Sequence, residues 1–138
     1  RFFNMPSIRN RILGAQLYET GTKGFLHWGF NFYNSQYSRY PVDPYFQSDA
    51  DGGFQSGDSF IVYPGREGAL ASLRLEVFFD GLQDVCALRA AEKKISSLSE
   101  IVLASRKGLW FSNVSGFTGR IDAVTWLKFR KEINALLV

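Results

Sequence analysis

In Gly24-Phe25-Leu26-His27-Trp28-Gly29-Phe30-Asn31-Phe32-Tyr33 a short apolar run ends in an imidazole, an indole, an amide and a phenol. Such groups suit a neutral, hydroxylated ligand such as a sugar: ring faces stack on C–H bonds while polar groups read hydroxyls. An interior strand needs only the first half of this stretch. The second half, followed by a loop rich in Tyr, Asp and Gly, reads as the rim of a binding cleft. The competing reading makes Phe25, Leu26, Trp28 and Phe30 ordinary core. Other chemistry has little to work with. One His and one Cys are too few for a zinc site built on them. The lone Cys86 falls on an apolar helix face and reads as a small buried hydrophobe.

The elements that must hold this rim follow from periodicity. Pro6-Ser7 opens a helix, with Ser7 able to cap it; Ile8, Ile12, Ala15, Leu13 and Leu17 form its stripe, and Gly21 stops it. Residues 24–28 then predict a strand that is apolar on both faces, the pattern of a parallel sheet covered by helices. From Gly29 to Gly57 no period holds, and Tyr-Pro, Asp-Pro and Asp-Gly-Gly breakers recur. Loops of this length inside compact domains are usually functional or disordered. Its many aromatics argue against disorder. Asp49 and Asp51 sit in its Gly-rich turn and read as solvent-facing.

A second strand, Ser59–Tyr63, stops at Pro64-Gly65. Ser72 caps a long helix to about Ile95, with Leu75, Phe79, Leu82, Cys86 and Arg89 at helical spacing. Gly81 inside it costs about 1 kcal/mol relative to Ala, which predicts close packing at that point. Arg74, Glu76, Asp80 and Asp84 are spaced so that Arg74 and Asp80 cannot meet on one helix face, so they should tie the helix to its neighbours. Ser97-x-x-Glu100 predicts a further short helix, and Asp122 a last one with Trp126, Phe129, Ile133, Leu136 and Leu137 on one face.

Helix–strand–loop–strand–helix with doubly apolar strands means β/α architecture, yet two strands cannot close a barrel. The missing strands are expected from an upstream segment or a partner chain. The opening Arg1-Phe2-Phe3 agrees with a piece cut from something longer. At 138 residues the chain has the length of one domain. It has no run of about 18 apolar residues, hence no membrane helix, and no targeting pattern that assigns a compartment. A net charge of +3 with dispersed Lys and Arg excludes a nucleic-acid stripe; Lys128-Arg130-Lys131 reads as a solvated helix face. Asn113-Val114-Ser115 fits a glycosylation acceptor, a pattern common by chance.

Four blocks carry a family resemblance: Pro6-Ser7 with Arg11, Gly14 and Tyr18; Gly24-Phe25-Leu26-x-Trp28-x-x-Asn31; Gly57-Asp58-x-Phe60-x-x-Tyr63-Pro64-Gly65; and Ser72-Leu73-Arg74-Leu75-Glu76 with Asp80-Gly81-Leu82-x-Asp84. In order and spacing they resemble the C-terminal domain of unknown function 4091, over about residues 5–95. That domain ends the (β/α)8 catalytic barrel of proteins similar to glycoside hydrolase family 123, the β-N-acetylgalactosaminidases. The resemblance implies an α/β fold in two parts. Residues 1–95 would be the C-terminal portion of a (β/α)8 barrel, two parallel strands with flanking helices, and 96–138 an appended helical segment. Active sites of such barrels lie at the C-terminal ends of the strands. His27, Trp28 and Asn31 would stand at one strand end and Tyr63 at the other. Asp58, at the start of the second strand, would lie on the opposite side as a turn or capping carboxylate.

The chemistry implied is substrate-assisted, outside the usual two-carboxylate scheme. The carbonyl oxygen of the sugar's 2-acetamido group attacks the anomeric carbon; an Asp polarises the amide, and the adjacent Glu is the general acid/base. No adjacent Asp-Glu pair occurs in this chain, so none of its residues is assigned a catalytic role, and alone it should be inactive. The sequence departs from the family at His27, usually an aromatic, and at Ser59, usually Gly. The expected substrate-binding residues are Trp28 as stacking platform, Asn31 and Tyr63 as hydrogen-bonding groups, then Tyr33 and His27. The partner implied is an amino-sugar glycoside, with no metal, organic cofactor, nucleic acid or membrane. A non-catalytic carbohydrate-binding module and a structural or oligomerisation segment are the alternatives.

Overall fold

The computed structural model describes residues 2–94 and 123–138. The short helix expected from Ser97, the Asp122 cap and the Asn113 acceptor lie outside the described residues. Three helices, α1 (Ile8–Thr20), α2 (Leu73–Lys94) and α3 (Ala123–Leu137), pack together among the described residues. A small hairpin, β1 (Val62–Pro64) and β2 (Ala69–Ala71), precedes α2. None of these helices is long and apolar enough to cross a membrane.

Helix α1 starts without a side-chain cap. Ser7 is itself helical (φ −57°, ψ −29°), and the first-turn N–H groups of Arg9 and Asn10 donate to the carbonyls of Pro6 and Ser7. Those backbone bonds leave the Ser7 hydroxyl nothing to cap, contrary to expectation. Gly21 ends the helix as expected, in the left-handed region (φ 65°), its N–H donating to the Tyr18 carbonyl. Helix α2 begins as expected: the Ser72 hydroxyl accepts the Leu75 N–H at 3.3 Å and donates to the Ile61 carbonyl at 2.6 Å. Glu76 in its first turn and Lys93 and Lys94 in its last complement the helix dipole.

The expected close packing at Gly81 is real. A Cβ on Gly14 would fall 1.8 Å from the Gly81 carbonyl oxygen, and one on Gly81 would fall 2.7 Å from that of Arg11. The two backbones touch. Around this crossing lies the core: Ile12 and Ala15 of α1, Ala87, Leu88 and Ala91 of α2, and Trp126, Phe129 and Ile133 of α3. The α3 face is the one its periodicity predicted. Lys128 and Lys131 are exposed, while Arg130 turns back onto α2.

Two expectations fail here. The large apolar stripe of α2 does not face the core, because the Gly81 contact turns Gly81, Val85, Leu88 and Ala91 inward. At 3.6 residues per turn the stripe is centred about 135° away. Phe79, Leu82 and Cys86 are therefore exposed, and Cys86 is no buried hydrophobe.

The second failure concerns the strands. Residues 24–28 form no ladder, and Phe25 and Leu26 are exposed. The two segments meet further along and run antiparallel: Asn31 bridges Phe60, with Phe32 N–H donating to Ser59 O and Ile61 N–H to Phe30 O. The sheet that forms is the β1–β2 hairpin, also antiparallel, pairing Tyr63 with Leu70. The expected two parallel strands are not present among the described residues. A parallel pair needs a crossover that carries the chain back, usually a helix. The connection here holds only a 3-10 turn, Gln36–Ser38.

Arg74 closes the connecting loop. Its guanidinium donates to the carbonyls of Gly57 and Phe60 and lies over the rings of Phe3 and Phe60, at 4.6 and 5.4 Å. Burial lowers its pKa, opposed by Tyr63 and Asp58, so the group is held by π-faces and carbonyl dipoles in place of water. Further along α2, Asp84 is fully buried. It accepts Arg11 at 2.7 and 3.0 Å, Arg130 at 2.7 Å and the Trp126 indole N–H at 3.0 Å. Asp80 adds a second contact to Arg11 at 3.2 Å. Arg74, Asp80 and Asp84 tie α2 to its neighbours, as expected, while Glu76 stays exposed.

Candidate functional site

The loop from Gly29 to Gly57 is a chain of local turns. Ser35 and Tyr40 bond to each other through Ser35 N–H to Tyr40 O and Tyr40 N–H to Ser35 Oγ. Tyr37 and Ser38 take positive φ at its first tip, Ala50 and Asp51 at its second. Asp43 accepts the N–H groups of Tyr45, Phe46 and Gln47. The Asp51 carboxylate accepts the Tyr40 hydroxyl and the Gln47 amide. It is a turn carboxylate facing solvent, as read from the sequence.

Against this loop Trp28 stands in a three-ring cluster, its indole 4.7 Å from Phe54 and 5.6 Å from Phe32. It is 47% exposed. The indole N–H donates to Asp58 Oδ2 at 3.2 Å. Asp58 is therefore at Trp28 and not on the opposite side. The antiparallel meeting of the two segments is the reason: the start of the second lies beside the end of the first. The same reversal sends Tyr63 into a separate cluster, stacked on Tyr45 at 5.0 Å and edge-on to Phe60 at 5.0 Å. The Tyr45 hydroxyl donates to the Pro64 carbonyl at 2.8 Å and ties the loop to β1.

The remaining expected residues are distributed around these two clusters. Asn31 is exposed at the bridge to Phe60. The Tyr33 hydroxyl donates to the Val62 carbonyl at 2.9 Å, and its ring packs on Phe60. Burial, with Tyr45 nearby, pushes the Tyr33 pKa up and keeps it a donor. The His27 ring lies 6.4 Å from both Phe25 and Trp28, with its two nitrogens shielded from solvent. Sequence reasoning passed over Phe54 and misplaced Asp58; the Gly57-Asp58 pair was the signal for the latter. Among the described residues no group of three or more His, Cys, Asp or Glu is placed to hold a metal ion.

Residues 1–91, the segment that carries both clusters, match the family model of the glycoside hydrolase 123 catalytic domain. The chain belongs to the glycoside hydrolase 123 family. No curated protein matches it. Trp28, Asp58, Tyr63 and the Asp80–Asp84 pair all fall within the glycoside hydrolase 123 match; helix α3, docked on Asp84, falls beyond it. A glycoside hydrolase acts on carbohydrate, and within the matched residues Trp28 is a half-exposed indole braced on two further rings.

Proposed function

We propose that the chain supplies part of the sugar-binding wall of a β-N-acetylhexosaminidase-like, substrate-assisted site whose catalytic Asp-Glu pair comes from outside these residues. Within the family we read residues 1–95 as the C-terminal portion of the (β/α)8 barrel, its blocks resembling the domain of unknown function 4091, and 96–138 as an appended helical segment. Trp28 is the stacking platform and Asn31, three residues on, a hydrogen-bonding side chain. Tyr63 and Tyr33 serve a second patch, and His27 braces the first. The ligand is an amino-sugar glycoside.

One observation carries this reading: a large aromatic, 47% exposed, is held by Phe54, Phe32 and Asp58 without being absorbed into the core. The rest of the barrel has its own support. Phe25 and Leu26 are exposed on a segment with no ladder, and Leu73, Phe79 and Leu82 are exposed on α2. Between α1 and α2 lies a groove of about 300 Å³ lined by Leu13, Leu17, Phe25, Phe78, Leu82 and Cys86. An upstream segment of the same barrel, or a partner chain, covers this face.

Titration of the full chain with N-acetylgalactosamine tests the wall. Trp28→Ala removes binding while the melting temperature stays close to wild type. Unchanged affinity would refute the platform, and a collapse of the fold would make Trp28 a core residue. Hydrolysis of an aryl N-acetylgalactosaminide by this chain alone would refute the assignment of catalysis elsewhere.

A further inference from the structure

We infer that Asp58 is a positioning residue, holding the Trp28 indole in the plane on which the sugar stacks. The inference rests on Trp28 being the platform, and goes beyond that reading in naming what orients it. An indole this exposed is free to turn about two side-chain torsions. Phe54 and Phe32 brace its faces and edges, but ring contacts tolerate sliding; a hydrogen bond from Nε1 to a carboxylate oxygen at 3.2 Å fixes direction.

Asp58 is itself held firmly. Its N–H donates to the Gln55 carbonyl at 2.9 Å. The carbonyls of Gly57, just before it, and of Phe60, two residues on, are both taken by Arg74. The chain carrying Trp28 approaches closely: a Cβ on Gly29 would fall 2.2 Å from the Asp58 carbonyl oxygen. The acceptor and the ring it orients therefore share one rigid backbone contact. A platform fixed before the sugar arrives loses less freedom on binding.

The test follows the indole N–H resonance of Trp28 and the affinity for N-acetylgalactosamine in the full chain. Trp126, whose N–H goes to Asp84, is the internal reference. Asp58→Ala moves the Trp28 resonance, leaves that of Trp126 in place, and weakens the sugar about five- to tenfold. Asp58→Asn keeps an acceptor oxygen and restores most of the affinity. Trp28→Phe keeps a ring but no N–H, and adding Asp58→Ala to it costs nothing further. If Asp58→Ala changes neither resonance nor affinity while Trp28→Ala abolishes binding, the positioning role is wrong and the platform stands. If Trp28→Ala binds as well as wild type, both are wrong. Should Asp58→Ala fail to fold, full affinity in Trp28→Phe overturns the inference on its own.

Discussion

Replacing Gly14 by Ala tests the helix crossing that sets the whole packing of the chain. The added methyl carbon would sit 1.8 Å from the Gly81 carbonyl oxygen, where ordinary contact begins at 3.4 Å. The obstacle is backbone, so no side-chain rotation relieves it. The helices must part by roughly 1.5 Å, a gap that forfeits more than half of the dispersion attraction across the seam. Overpacking of this kind costs about 1–3 kcal/mol before those lost contacts are counted. Ala is the better helix former by about 1 kcal/mol, which offsets part of the loss. The net is roughly 2–4 kcal/mol, or a melting temperature lower by about 10 °C in a domain of this size. Gly81→Ala meets its obstacle, the Arg11 carbonyl, at 2.7 Å and needs about half that displacement. Its cost nearly cancels the gain in propensity. Thermal and urea unfolding followed by far-ultraviolet circular dichroism measure both. Gly14→Ala at or above wild-type stability, or Gly81→Ala as the more damaging of the two, would refute the contact.

Two more substitutions probe the supporting network and the second aromatic cluster. Asp84→Ala strips the acceptor from Arg11, Arg130 and the Trp126 indole at once. It should cost about 3–5 kcal/mol in urea unfolding, with Trp126 emission shifting to the red as α3 loosens. Tyr33→Phe removes only the hydroxyl that donates to Val62 O. It should cost about 1 kcal/mol, which urea unfolding of the purified variant checks.

The helices were legible because each carried its own punctuation. Pro6, Gly21, Ser72 and the Trp126–Phe129–Ile133 spacing mark starts, stops and a buried face without reference to the rest of the fold. The face of α2 was not legible. Periodicity says that Leu75, Phe79, Leu82 and Cys86 share a stripe, but which side meets α1 is decided by Gly14 and Gly81, two residues with no hydrophobic signal. Strand direction was hidden for a related reason. An apolar run such as Ser59–Tyr63 has the same pattern whichever way its neighbour runs, and the three residues of β2 are too few to show alternation.

Direction turns out to matter more for the site than any single residue assignment. In a parallel pair Trp28 and Tyr63 end side by side and Asp58 lies a strand length away. In the antiparallel meeting at Asn31 and Phe60, Asp58 comes to the indole and Tyr63 leaves for Tyr45. The candidate wall therefore divides into two aromatic patches, one with a carboxylate at its edge and one closed by a hydroxyl-to-carbonyl bond at Pro64. The first has an exposed ring held in a fixed direction. The second has already committed the hydroxyls of Tyr33 and Tyr45 to the protein's own carbonyls. A sugar that must be both stacked and read by hydrogen bonds is better served by the first, and that is why Trp28 with Asp58 is the pair to perturb before Tyr63.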